Sequence, residues 1–156
     1  MSAYRQNQQG GRYPPQQAQP YPRGYLKGSY FDDKENIKCE LLTTRAEQLA
    51  KIFVESDITS TQLRQFFVQV RTVEKQVGQK PFNELIPRIQ RLSALVSYFV
   101  GRGQNQFIRD KRGVFKLFID ENRVVAESNE KNFKFGFVPH FEAIIAYYKY
   151  YNPGKD

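Results

Sequence analysis

The sequence predicts an all-α fold, a compact bundle of about five helices behind a disordered N-terminal tail. From residue 32 onward, apolar residues recur at threes and fours in long runs, the spacing that collects them on one helix face. Strand-like alternation of useful length is missing, and so are the turn dipeptides of β-hairpins. With 156 residues, the chain has room for one domain with a sizeable core and little for a second. The expected organisation is a tail over residues 1–30 and a single helical-bundle domain over residues 31–156.

The tail assignment rests on composition. Residues 1–30 hold six Gln, five Tyr, four Pro, four Gly and four basic residues, with no acid and no aliphatic periodicity. Such a segment offers too little apolar surface to offset the entropy of ordering it. Tyr beside Arg in a flexible chain can stack on bases and neutralise phosphates without sequence preference, and a purely solubilising extension explains the same composition.

Residues 32–55 read as helix, in two pieces divided near Thr43 and Thr44. Leu42, Ala46, Leu49, Ile52 and Phe53 share the inward spacing, with Lys38, Arg45 and Lys51 outside. The next helix carries the clearest local signals. Thr59 and Gln62 form a capping box, and Ile58 and Leu63 have the spacing of a hydrophobic staple. The helix should therefore begin at Ser60. It should end near Gly78, with Pro81 beyond it. Leu63, Phe66, Phe67, Val70, Val73 and Val77 form its core face. Arg64, Arg71 and Lys75 line another face, about a third of a turn away at ~100° per residue.

Asn83 is the expected cap of a third helix, with Pro87 near its first turn, where the missing N–H costs least. Leu85, Ile89, Leu92, Val96 and Phe99 form its stripe, while Arg88, Arg91 and Arg102 share a neighbouring face. Gly101 and Gly103 should stop it, which places Arg102 near a carboxyl end that favours a cation. Residues 107–128 form a fourth helix through Ile108, Val114 or Phe115, Phe118, Ile119 and Val125. Gly113 in its middle costs ~1 kcal/mol relative to Ala. Arg109, Lys111 and Arg112 open this helix against the macrodipole, so an interaction beyond helix stability is expected there, or chance. The last helix carries Phe137, Phe141, Ile144, Ile145 and Tyr148, and Pro139 should start or kink it.

Charge narrows the partner class. A net charge of +8 and a pI near 9.6 favour nucleic acid or an anionic surface. In the Ser60 helix, Glu74 is the single carboxylate between Asp57 and Glu84. The basic stripe therefore lacks the acids that usually balance a solvated face, although an ordinary solvated face remains the alternative.

Catalytic chemistry finds few candidates. His140 is the only histidine and reads as packing or surface. Asp120 and Glu121 are helix neighbours and diverge by ~100°, and Gly101-Arg102-Gly103 has neither the spacing nor the strand of a phosphate loop. The expectation is no enzyme, no catalytic residue, no metal and no cofactor. Cys39, the lone cysteine, rules out an internal disulfide and reads as a small buried or half-buried side chain. No apolar run approaches the ~18 residues of a membrane span, so the protein is expected in the cytoplasm.

Three stretches carry a family likeness: residues 58–75 with Thr61-Gln62-Leu63-Arg64, residues 92–102 with Tyr98 and Arg102, and residues 141–149 with Phe141-Glu142-Ala143 followed by Ala146-Tyr147. In that order the chain resembles the small-subunit family of the type III-A CRISPR effector, the Csm complex, over residues 44–151. The likeness implies a non-catalytic helical subunit that stacks in several copies along the ribonucleoprotein. Its neighbours would be the crRNA-bearing backbone subunit and the large polymerase-containing subunit. Its RNA contacts would go chiefly to target RNA in the guide–target duplex.

By the likeness, Arg64 and then Arg102 are the expected RNA-binding residues; Arg71, Lys75 and Arg109 join them from the helical-face reading. A subunit that tolerates any target should read backbone rather than bases, with steep salt dependence. The small subunits of Cmr or type I effectors, or a stand-alone single-strand RNA-binding protein, are the alternatives. The chain departs from the family pattern in its tail and at Gly136 and Pro139.

Overall fold

The structure is a computed structural model that describes residues 20–153. Its helices are α1 (Cys39–Leu42), α2 (Thr44–Val54), α3 (Ser60–Glu74), α4 (Phe82–Gly101), α5 (Gln106–Ala126) and α6 (Val138–Tyr151), and a π-helical turn, Asn132–Phe137, leads into α6. No strand occurs among the described residues, so the all-α reading holds, with α2 to α6 as the five long helices.

Amphipathic faces decide the packing. α4 lies along α5, α2 lies along α6, and α3 rests on α6 and α4. Phe53, Phe115, Phe118 and Phe141 meet at the centre, each 0% exposed. Their rings meet at 5.2–6.3 Å, edge to face or tilted in four pairs and stacked between Phe115 and Phe118, geometries that aromatic quadrupoles favour. Phe66 and Phe99 extend this cluster between α3 and α4. Each such ring, fully buried, stabilises the fold by about 1.5–3 kcal/mol.

The expected start of α3 is observed in full. The Thr59 hydroxyl accepts the Gln62 N–H at 3.1 Å, and the Gln62 side chain accepts the Thr59 N–H at 3.0 Å. Ile58 and Leu63 are both buried. The break between the first two helical pieces falls at Thr43, whose φ of −127° and ψ of −104° leave the helical region.

Several element boundaries differ from the sequence reading. Helix does not begin at residue 32. The Asp32 carboxylate accepts the N–H groups of Lys34 and Asn36 at 2.9 and 3.0 Å, and this Asx-type turn competes with helix for the same donors. Lys38 does not point outward either, because its ammonium donates to the carbonyls of Leu26 and Ser29 at 2.8 Å each. Cys39 is exposed, where a buried or half-buried side chain was expected, since it opens α1 on the side away from Leu41, the buried residue of that turn.

α3 ends at Glu74, and a turn with Gly78 at φ 84° follows. α4 begins at Phe82, which puts Pro87 inside the helix rather than near its first turn and leaves the Asn83 carbonyl without the donor it would normally receive. Of Val114 and Phe115, Phe115 is the core residue.

The tail is the largest revision. Residues 1–19 lie outside the described residues, but residues 20–38 form a strap of successive turns that adds Tyr25, Leu26 and Tyr30 to the core. Gly24 and Gly28, at φ 73° and 78°, supply the left-handed positions that these turns need.

The strap is fastened by a chain of buried hydrogen bonds. His140 Nδ1 lies 2.6 Å from the Leu41 carbonyl, which can only accept, so Nδ1 carries the proton. Nε2 therefore accepts from the Tyr25 hydroxyl at 2.6 Å. Tyr25 in turn accepts from Asn122 Nδ2 at 3.0 Å, while that amide also donates to the Phe118 carbonyl and accepts from the Tyr30 hydroxyl at 2.9 Å. Every polar atom of these four side chains is paired, which makes a buried network an asset rather than a cost. Burial holds the His140 pKa down to about 4 and pushes those of both tyrosines up.

Gly136 makes room for the strap, since a Cβ there would stand 2.5 Å from the Tyr30 ring. The neighbouring π-turn is closed by the Val138 N–H donating five residues back to the Phe133 carbonyl. Pro139 then sits at the second position of α6, directly after the π-turn, with no N–H to donate back into that turn. The interruption expected from Gly136 and Pro139 is thus a short π-turn that seats the strap.

Candidate nucleic-acid interface

Residues 58–109 hold eight Lys or Arg against two acids, Glu74 and Glu84. They fold as the antiparallel hairpin α3–α4 and the opening of α5. Structure sorts six of these cations, and Arg112 of α5 with them, into two groups; of the other two, Arg88 donates to the Gln76 side chain at 2.6 Å and Lys80 is exposed in the turn before α4.

The first group is engaged within the domain. Arg71 pairs with Glu74 at 2.7 Å and with Glu142 at 3.0 Å, and stands over the Phe67 ring at 5.0 Å; the hydrogen bond that it donates to Glu74 leads in raising its pKa. Arg109 donates Nε to the Gly103 carbonyl at 3.1 Å and packs against that glycine so closely that a Cβ there would come within 2.8 Å. Arg112 donates to the Phe99 carbonyl at 3.1 Å and pairs with Asp57 at 3.2 Å, leaving its side chain 15% exposed.

These contacts explain the basic opening of α5. Phe99 and Gly103 lie at the carboxyl end of α4, where carbonyls lack helical donors. Arg109 and Arg112 therefore sit badly for their own helix but well for its neighbour.

The second group is open. Arg64, Lys75, Arg91 and Arg102 are exposed, and none meets a carboxylate among the described residues. On α4, Arg91, Leu95, Tyr98 and Arg102 follow helical spacing along one face. On α3, Arg64 shares a shallow patch with Gln65, Val68 and Gln69. Arg91 was visible in the sequence as a neighbour of Arg102, but only the pairing of the other arginines singles it out.

Between the two helices runs a groove of about 270 Å³. Gln62, Gln65 and Gln69 form its α3 wall and Leu95, Tyr98 and Arg102 its α4 wall, over a floor of Phe66 and Phe99. Tyr98 is 67% exposed, and the Arg102 guanidinium lies 5.6 Å from its ring centroid. A deeper polar depression shares Gln62, Phe99 and Arg102 and continues to Asp57, Gln104 and Arg112. Among the described residues, no group of three or more His, Cys, Asp or Glu is gathered for a metal ion, and no helix is long and apolar enough to cross a membrane.

The fold and the unpaired cations along one hairpin define the class as a small basic all-helical domain. The sequence profile of the family described as Csm2 Type III-A matches residues 36–154, and the chain belongs to that family, the small subunits of type III-A CRISPR-Cas. No curated protein and no solved structure matches the chain. Most of the strap, residues 20–35, precedes the matched span.

Proposed function

We propose that this Csm complex component is a non-catalytic RNA-binding subunit, holding the target RNA paired to crRNA by its backbone through the open cations of the α3–α4 hairpin. Arg64, Lys75, Arg91 and Arg102 carry the reading, because they remain exposed and unpaired in a molecule that neutralises or pins Arg71, Arg109 and Arg112. Arg71 and Arg109 contribute field and position rather than free donors. Four separated charges suit a phosphate chain of any sequence, and one copy should bind weakly and gain avidity by stacking with further copies beside the backbone and polymerase-containing subunits. Its place in antiviral defence follows from the family.

The test is the double variant Arg64→Gln, Lys75→Gln, assayed as the isolated chain and within the assembled particle. Both side chains are exposed, so helicity should be unchanged. The slope of log affinity against log salt for single-stranded RNA should flatten by about 1.4, at ~0.7 for each phosphate no longer neutralised. Unaltered affinity and slope in a folded double variant would overturn the proposal.

A further inference from the structure

A ridge that only neutralises phosphates has no use for what lies beside these cations. The groove between α3 and α4 has an apolar floor, Phe66 and Phe99, and a large ring, Tyr98, left 67% exposed at its edge. Gln65 and Gln69 on the opposite wall have no hydrogen-bond partner among the described residues, while Gln62 uses its amide oxygen on the Thr59 cap and keeps its NH₂ free. From these features we infer that the groove takes one unpaired nucleotide of a single-stranded RNA, its base stacked on Tyr98 and its phosphate at Arg102.

The chemistry fits that occupant part by part. Aromatic rings left exposed beside cations are the common platform for single-strand binding, because every base has a π-face. A side-chain amide offers a donor and an acceptor and can reverse them by half a turn, so the glutamine row meets any base edge without selecting one. Arg102, 5.6 Å from the Tyr98 ring, puts a guanidinium within reach of the phosphate of a nucleotide whose base lies on that ring. The groove volume of about 270 Å³ falls just below the ~300–1,000 Å³ of small-ligand clefts, room for one ring system and little more. A docked protein helix would instead call for a longer apolar trough, and three glutamines and an arginine line this one. The inference rests on the RNA-binding reading above and deepens it: where the bound RNA leaves a nucleotide unpaired, this groove accepts its base.

The experiment compares two RNA probes on the full chain: a 12-nucleotide single strand with 2-aminopurine at one central position, and a blunt 12-base-pair duplex. Tyr98→Ala should weaken single-strand binding about five- to 150-fold, from the stacking energy of ~1–3 kcal/mol per base, and leave duplex binding within twofold. Tyr98→Phe should restore both affinity and the quenching of 2-aminopurine, which Tyr98→Ala abolishes. The melting temperature should not move, since the side chain is largely in solvent.

Should Tyr98→Ala leave single-strand affinity and quenching intact while Arg64→Gln, Lys75→Gln weakens binding, the stacking inference falls and the backbone reading stands. If neither probe binds the wild-type chain, both fall. Loss of self-association or of particle assembly in Tyr98→Ala, with RNA binding unchanged, would assign the groove to a protein contact and overturn the inference.

Discussion

The strap and the α3–α4 hairpin treat polar side chains in opposite ways. Around His140 each donor and acceptor of four buried residues is matched, with partners drawn from the strap, α1, α5 and α6. Along the hairpin, Arg64, Lys75, Arg91, Arg102 and two glutamines stay exposed or unmatched among the described residues. Burial forces the first arrangement, because an unpaired polar group in the interior costs about 1–3 kcal/mol or more. Nothing in the fold requires the second. Groups that folding leaves unmatched are the ones available to a partner, which separates the part of the molecule that stabilises from the part that binds.

The sharpest break of this comparison is Tyr30→Ala. It empties a fully buried ring site and strands Asn122, so unfolding free energy should fall by about 3–5 kcal/mol, read from urea melts. A loss below 1 kcal/mol would mean that the strap is not part of the cooperative unit.

The next largest effect is a pH dependence. The unfolded chain binds the His140 proton near pH 6.5, while burial delays this in the folded protein to about 4. Between those values the unfolded state holds more protons, so stability is full above pH 6.5 and declines as pH falls through the window, by roughly 2 kcal/mol at pH 5. His140→Gln should remove that share of the slope between pH 7.5 and 5 in paired urea melts; an identical slope in the variant would show that the imidazole is not held neutral.

The smallest effect tests the sorting of the cations. Arg71→Ala breaks two half-exposed ion pairs and should cost about 0.5–1 kcal/mol, whereas Arg64→Ala should stay within 0.5 kcal/mol. Equal thermal shifts for the two variants would dissolve the distinction between engaged and open arginines.

The legible parts of the fold share one property, short range. The capping box at Thr59 and Gln62, the break at Thr43 and the core stripes of α3 to α6 depend on neighbours three or four residues apart. The Arg71–Glu74 pair is equally local yet escaped the sequence reading, which took Glu74 as too little to balance the stripe, and Arg71's second partner, Glu142, is 71 residues away by the numbering. The strap was hidden because its fastening spans the chain: Tyr25 to His140 is 115 residues and Tyr30 to Asn122 is 92. Composition without acids or aliphatic periodicity masked the one local clue, the turn glycines Gly24 and Gly28 flanking Tyr25 and Leu26.

For the site, sequence exposed which residues are cationic and that acids are few. It could not separate Arg102 from Arg109, both near a helix junction.

By itself the sequence determined an all-α chain, its family, and a surplus of arginine and lysine along the middle helices, because propensity, capping and periodicity act within a few residues. Tertiary structure alone decided which cations remain open. Whether an arginine is free depends on which carbonyl or carboxylate another element brings within hydrogen-bond reach of it, as the end of α4 and the turn after it do for Arg112 and Arg109 and α6 for Arg71. That juxtaposition arises only when the apolar faces have chosen their partners.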